Sequence, residues 1–247
     1  MKTMPHVLVV AGSDSSGGAG MVRDIETLAA FGVKASVAIT AVTVQTHHGV
    51  LHVDAVPSER VAQQMRAALT ANPVGAIKIG MLATAATIVA VADVLADYRE
   101  IPVVLDPVLV STSGNTLLTP DSVAALRDLF ASCMLVTPNL PELLRLGAVE
   151  RAGASENTVD QARRLIAAGA QGVLIKGGHG DGAESADILV RAGHAIQTFT
   201  APRLAASMRG TGCMLASAIA ARLGFGDDLA IAISKAKAFV HVKLSAI

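Results

Sequence analysis

His6-Val-Leu-Val-Val-Ala11 runs directly into Gly12-Ser-Asp-Ser-Ser-Gly-Gly-Ala-Gly20 and then into the helix-forming Met21–Ala30. A valine-rich apolar run, a turn of glycine and serine, and a stretch of helix formers make one strand–turn–helix unit. No A-x-A-like cleavage site follows the apolar run, so it reads as a first strand and not as a leader. The alternation then repeats down the chain. Ala35–Thr40, Ala76–Ile79, Val103–Asp106, Leu135–Thr137 and Val173–Lys176 read as further strands. Ser58–Ala71, Ala85–Tyr98, Asp121–Ala131, Val159–Ala168, Gly212–Arg222 and Asp228–Leu244 read as helices. Thr119-Pro120 offers a cap followed by proline in the first turn, and Thr158-x-x-Gln161 has the spacing of a capping box. Short, continuously apolar strands separated by helices predict a parallel sheet covered on both faces. Ser185–Arg191 and Ala195–Thr200, joined by Ala192-Gly193-His194, predict a late antiparallel hairpin. Without a linker, repeat or low-complexity segment, residues 1–247 read as a single α/β domain.

Composition narrows the function. With 52% hydrophobic residues over 247 positions the chain can bury a large core. No Trp, one Tyr and five Phe make that core aliphatic and alanine-packed. A formal net charge of zero and no basic stripe argue against nucleic acid as the main partner. No apolar run approaches the roughly 18 residues that cross a bilayer, so a membrane is not an expected partner either. The two cysteines, Cys133 and Cys213, suggest no disulfide framework and point to a reducing cytoplasm.

In a sheet of this kind ligands gather at the carboxyl ends of the strands. The chemistry-bearing residues fall there: Gly12–Gly20 with Asp24 on the helix behind it, Asp106-Pro107, Thr137-Pro-Asn139-Leu-Pro-Glu142, and Lys176-Gly-Gly-His179. Neither G-x-G-x-x-G nor G-x4-G-K-[ST] is present, so the glycine-rich turn is not one of the common nucleotide fingerprints. Lys176 ends an apolar run, and a buried cation needs a partner that a phosphate would supply. Asn139-x-x-Glu142 also has the form of a helix N-cap, and Asp106 before Pro107 also serves simply to stop a strand. His47-His48 has no ligand-like companion and reads as loop. Arg209-Gly-Thr-Gly-Cys213 precedes a strong helix former. Gly210 and Gly212 let backbone N–H groups turn around one point, while the helix start adds unpaired donors and the positive end of its dipole. The product is an anion hole with a thiol at its rim, able to hold charge developing on a phosphoryl group. The same residues also read as a flexible turn beside a small buried hydrophobe. At a helix N-terminus with Arg209 upstream, the Cys213 thiol is expected to be more acidic than a free cysteine.

Ala11–Gly20 with Asp24, Ile39-Thr-Ala-Val-Thr-Val-Gln45, Lys78-Ile-Gly-Met81, Leu105-Asp-Pro-Val108, Thr137–Glu142, Lys176–His179 and Gly210–Cys213 together resemble the hydroxymethylpyrimidine/phosphomethylpyrimidine kinases of thiamine synthesis. The resemblance runs in unbroken order from about Val7 to Ala236. It implies the ribokinase-like fold, a three-layer α/β/α sandwich with a mostly parallel central sheet. It also implies transfer of the γ-phosphoryl of ATP to 4-amino-5-hydroxymethyl-2-methylpyrimidine and then to its monophosphate, by a cytoplasmic homodimer. Carried over residue by residue, Asp24 and Gln45 would read the aminopyrimidine edge, Gly12 and Val44 would form the floor, and Met81 and Val108 would pack on the ring. Asp106 and Glu142 would hold Mg²⁺, Asn139 and Lys176 would meet the nucleotide phosphates, and Gly210, Thr211 and Gly212 would line the anion hole. Cys213 would stand as the base facing the substrate hydroxymethyl group. The family usually has Thr-His where this chain has Met208-Arg209. In relatives that phosphorylate pyridoxal that histidine works with the cysteine, so the change counts against a pyridoxal or pyridoxine kinase. Retention of Asp24, Asp106, Glu142, Lys176 and Cys213 counts against a catalytically silent pyrimidine-binding relative.

Overall fold

Strand side chains alternate between faces, and in β1 (His6–Ala11) both faces are apolar. Val7, Val9 and Ala11 belong to one core layer, Leu8 and Val10 to the other. Such a strand is stable only when covered on both sides. The computed structural model describes residues 4–110, 117–119, 122–147, 157–178 and 182–247, and places β1 inside an eight-stranded sheet. Its neighbours are β2 (Lys34–Ile39) and β5 (Val74–Ile79), both parallel to it. Parallel pairing continues through β6 (Val103–Leu105), β7 (Leu135–Val136) and β8 (Gly172–Ile175). β9 (Glu184–Arg191) and β10 (Gln197–Pro202) close that edge as an antiparallel hairpin, giving the order β10-β9-β8-β7-β6-β5-β1-β2. β3 (Ala41–Gln45) and β4 (Val50–Ala55) form a separate antiparallel pair above the sheet's carboxyl edge.

On one face, α2 (Ser58–Ala71), α3 (Ala85–Leu95), α4 (Ser122–Leu129), α5 (Leu140–Gly147) and α6 (Thr158–Ala167) bury leucine, isoleucine and valine against Leu8, Val10, Ile77 and Ile79. On the other, α1 (Gly20–Ala30), α7 (Thr211–Gly224) and α8 (Leu229–Ser245) pack on Val7, Val9, Ala76 and Val104. These are the three expected layers. Every residue from Met214 to Ala221 is buried in α7, and four of those eight are alanine. Small side chains let the helix lie close over β1, β5 and β6, which brings its N-terminus to the strand ends.

Several local expectations are corrected. Thr158 does not cap α6: the Asn157 side chain accepts the Asp160 N–H at 3.0 Å, and Gln161 lies buried within the helix. The β3–β4 hairpin and α5 were not anticipated as elements, and the helix expected to reach Ala131 gives way to a 3-10 turn at Phe130–Ser132. The final strand is Gln197–Pro202, two residues beyond the predicted run. Thr119 bonds Ser122 through its hydroxyl (2.6 Å); Pro120, Asp121 and His179 lie outside the described residues.

Candidate active site

The carboxyl ends of β1, β5, β6, β7 and β8 open into one cavity of about 750 Å³. β1, β6 and β8 each contribute the residue that follows their last apolar pair: Gly12, Asp106 and Lys176. Asp106 follows β6, its backbone N–H donating to Ile79 O at 2.8 Å, and its carboxylate is nearly fully buried. Lys176 follows β8 and places its ammonium 2.7 Å from Asp106 Oδ1 and 3.7 Å from Glu142 Oε2. Glu142 is held by a reciprocal cap at the start of α5: its Oε2 accepts the Asn139 N–H (2.8 Å), and Asn139 Oδ1 accepts the Glu142 N–H (2.9 Å). The helix-cap reading of Asn139 and Glu142 is therefore correct, yet both also line the cavity. Burial pushes the Glu142 carboxyl above its ordinary range, with Lys176 pulling it down and Asp106 adding to the rise. Burial opposes the charge on Lys176, but Asp106 and Glu142 outweigh it and keep the ammonium protonated. The expectation that Lys176 waits for a phosphate is thus corrected: a carboxylate already partners it.

Gly210, at φ +75°, begins α7 in the left-handed region that favours glycine, and a Cβ there would meet Gly18 O at 2.6 Å. The N–H groups of Thr211, Gly212 and Cys213 fall in the first helical turn, where no intrahelical acceptor exists. A Cβ on Gly212 would stand 3.1 Å from Lys176 Nζ and 3.4 Å from Asp106 Oδ2. The helix start and the charged trio are therefore in contact, with room for hydrogen only. Cys213 is half-buried beside this turn. Burial pushes its thiol up to about 11; Lys78 lowers it, while Asp24 and Asp106 raise it. The acidic thiol expected from the helix terminus and Arg209 is corrected: burial raises the thiol, and Arg209 is bound to Asp14, Ser16 and Thr46 instead.

At the other end of the cavity lie Gly12, Gln45, Met81 and Val108. Two expected residues do not join them. Val44 is half exposed on the opposite face of β3, because strand alternation sends Thr43 and Gln45 inward instead. Asp24 has no exposed surface. Its Oδ2 accepts from Lys78 Nζ at 2.7 Å and its Oδ1 from the Ser217 hydroxyl at 2.8 Å. One oxygen is spent on the ion pair and the other on Ser217, so Asp24 supports the cavity from behind and cannot read a substrate edge. Burial opposes the Lys78 charge, but the Asp24 carboxylate outweighs it and holds the ammonium above its ordinary value.

An acid that does face the cavity beside Gly12 is Asp14, which sequence reasoning passed over inside the glycine-rich turn. Ser16 donates to Asp14 Oδ1 through its N–H (2.9 Å) and hydroxyl (2.7 Å). Arg209 reaches across from the α7 loop to Asp14 Oδ2 (3.3 Å), Ser16 Oγ (2.9 Å) and Thr46 O (3.1 Å). It ties three loops into one rim. The far end of the cavity was missed as well: Lys237 of α8 pairs with Asp187 at 2.8 Å, and Asp187 accepts the Gly177 N–H at 2.9 Å. Lys78 interrupts an apolar run, the one signal that marked it; Lys237 sits in Ser234-Lys-Ala-Lys237 and carried none. Among the described residues no group of three His, Cys, Asp or Glu side chains is placed to hold a metal, and no helix is long and apolar enough to cross a membrane.

A mostly parallel α/β/α sandwich with a lysine–carboxylate trio beside a glycine-capped helix start defines a ribokinase-like small-molecule kinase. A phosphomethylpyrimidine kinase from Clostridium difficile 630 superposes with a TM-score of 0.82 at 30% identity, covering 98% of this chain and 99% of that one. A Staphylococcus aureus pyridoxal kinase in complex with pyridoxal gives 0.85 at 30% identity, covering 98% and 88%. Hydroxymethylpyrimidine/phosphomethylpyrimidine kinase from Rhizobium meliloti is 43% identical over 241 residues, 97% of this chain and 90% of that protein. The thiamine biosynthesis bifunctional protein ThiED of Geobacter sulfurreducens is 44% identical over 236 residues; the alignment covers 95% of this chain and about half (48%) of that longer relative. The chain belongs to the phosphomethylpyrimidine kinase family, whose model matches residues 14–246.

Proposed function

We propose that this chain transfers the γ-phosphoryl of ATP to the hydroxymethyl group of 4-amino-5-hydroxymethyl-2-methylpyrimidine and then to the resulting monophosphate, the reaction carried by the names of its relatives. The observation that carries this reading is the cavity itself. It joins an end lined by Gly12, Gln45, Met81 and Val108 to Lys176, Asp106, Glu142 and the start of α7. Gln45 would read the ring's amino edge, and Met81 and Val108 would cover its faces. The far end, beside Asn139 and Lys237, would take the nucleotide. The unbroken sheet with both faces covered supports residues 1–247 acting as one kinase domain.

Phosphoryl transfer asks the protein for position and charge neutralisation more than for covalent chemistry. Lys176 supplies a fixed positive charge, and the N–H groups of Thr211, Gly212 and Cys213 supply donors for the transferring group. Gly212 lets that group approach Lys176 without obstruction. With its thiol protonated at neutral pH, Cys213 is a poor base; it packs the hydroxymethyl site, and the hydroxyl proton leaves late, as a loose transition state allows. Asp106 and Glu142 fit Mg²⁺: they are hard oxygen donors, only two in number, and the one ammonium buried beside them offsets only one of their two charges. Mg²⁺ takes few carboxylates and keeps several waters and substrate phosphates, so these two residues would hold it. Bound there, the ion would neutralise charge on the transferring phosphates. Exposed Val42, Val44 and Leu51 on the outer face of the β3–β4 hairpin support a homodimer, which light scattering would test. A coupled ADP assay with hydroxymethylpyrimidine, its monophosphate and pyridoxal separates this reading from a pyridoxal kinase and from an inactive binder. Turnover with the first two and little with pyridoxal is expected.

A further inference from the structure

The β3–β4 hairpin presents Thr43 and Gln45 to the cavity, and its two ends are held differently. At the base, Ala41 and Val53 pack with Met81, Ala83 and Val108 in a small apolar cluster. The tip has no such packing, for Thr46, His47 and His48 are exposed. Hydrogen bonds hold it instead. The Ser15 hydroxyl accepts the Gln45 N–H and donates to Gln45 O, both at 2.8 Å, and Arg209 Nη1 donates to Thr46 O at 3.1 Å. The same Nη1 donates to Ser16 Oγ at 2.9 Å, and Nη2 to Asp14 Oδ2 at 3.3 Å. The guanidinium therefore grips the tip directly, and also grips the turn that carries Ser15.

An exposed ion pair contributes little, but this one differs at its acid end. Asp14 is nearly fully buried, and its other oxygen accepts the Ser16 N–H (2.9 Å) and hydroxyl (2.7 Å), so the acceptor that Arg209 meets is already fixed. A Cβ on Gly18 would stand 3.0 Å from Arg209 Nη1 and 3.6 Å from Arg209 Cβ, so the arginine lies against bare backbone in close contact. Its planar fork has donors of fixed direction and serves three acceptors at once, which the point charge of a lysine does not. The next residue, Gly210, begins α7, where a Cβ would meet Gly18 O at 2.6 Å. One end of Arg209 is thus fixed to the helix start that takes the transferring group, and the other to the hairpin tip. We propose that Arg209 is a positioning residue for the pyrimidine: it clasps the hairpin tip and the Asp14–Ser16 turn to the start of α7, and so holds Gln45 at a set distance from the phosphoryl-transfer site. The proposal rests on the reading of Gln45 as a substrate contact.

Loss of the clasp should loosen the pyrimidine end and leave the nucleotide end as it is. In Arg209→Ala, KM for 4-amino-5-hydroxymethyl-2-methylpyrimidine should rise about tenfold, the cost of the lost hydrogen bonds, while KM for ATP holds. The urea midpoint should hold as well, because Asp14 keeps both Ser16 donors and its freed oxygen opens to the cavity. Arg209→Lys is the gentler change: it keeps the charge but serves fewer acceptors, so it should restore the pyrimidine KM only in part. A wild-type pyrimidine KM in a natively stable Arg209→Ala protein would overturn the proposal. Full recovery by lysine would do the same, since charge alone would then suffice. Both KM values rising together with a fallen midpoint would make Arg209 a stabiliser of the fold and also overturn it. Gln45→Leu separates the two levels. Unchanged pyrimidine KM in that variant would remove the underlying pocket reading and the proposal together, whereas a raised KM beside an indifferent Arg209→Ala would remove the proposal alone.

Discussion

Replacing Gly212 with alanine adds a single methyl group at the most crowded point of the site. The new carbon would lie 3.1 Å from Lys176 Nζ and 3.4 Å from Asp106 Oδ2. A carbon and an ammonium nitrogen settle no closer than roughly 3.5 Å, so Lys176 must give by a few tenths of an ångström, and its 2.7 Å pair with Asp106 must turn or stretch with it. The methyl group also occupies space through which a phosphoryl oxygen reaches the first-turn donors. Loss of one such donor costs about 10²–10³-fold in kcat, and a sub-ångström displacement of Lys176 costs less; a fall of about 10²-fold is the expected sum. Stability should move the other way. Gly212 is helical without the positive φ that restricts Gly210, and alanine in a helix is favoured over glycine by up to about 1 kcal/mol, enough to offset the local crowding. The assay pairs steady-state kcat with a urea midpoint on the same protein. A Gly212→Ala enzyme within threefold of wild-type kcat would refute the claim that this helix start and Lys176 hold the transferring group together. A fall in kcat matched by a fall in midpoint would make the effect structural.

Asp24→Asn should lower unfolding free energy by about 3–5 kcal/mol, because it strands the fully buried Lys78 ammonium; a loss below about 1 kcal/mol in urea titration would contradict the buried pair. Asp106→Asn and Glu142→Gln should each cut kcat by about 10²-fold or more with circular dichroism unchanged, and near-normal kcat at low Mg²⁺ in both variants would remove them from the metal and phosphate site. Cys213 should react slowly with iodoacetamide at pH 7 and faster as pH climbs toward about 11, where its thiol ionises; Cys213→Ala should keep most of its turnover. Rapid alkylation at pH 7 together with an inactive alanine variant would reinstate the thiolate base.

The layered fold was legible because its signal is short-range. Val7 through Ala11 are apolar on both faces, and only a covered parallel strand tolerates that. The strand-end residues Asp106, Asn139, Glu142 and Lys176 were legible for the same reason, since position at a strand's carboxyl end is read from the strand. What failed depended on direction and long-range contact. Asp24 lies in the right helix and the right motif, but whether it faces the cavity or Lys78 is decided by packing between α1, β5 and α7. Val44 and Gln45 are neighbours in sequence, and only the unforeseen β3–β4 hairpin sends them to opposite faces. The Cys213 thiol was judged from the helix terminus and the upstream Arg209, whereas burial raises it and Arg209 turns to Asp14, Ser16 and Thr46. Asp14 sat in plain view within Ser13-Asp-Ser-Ser16, but its partner Arg209 is 195 positions away.

The most direct test of the whole account is the phosphorus content of the pyrimidine product. Wild-type protein given hydroxymethylpyrimidine with one and then two equivalents of ATP and Mg²⁺ should, by ³¹P NMR and mass spectrometry, yield first the monophosphate ester and then the diphosphate, each with stoichiometric ADP. ADP formed without phosphate on the pyrimidine, or transfer to pyridoxal alone, would contradict it.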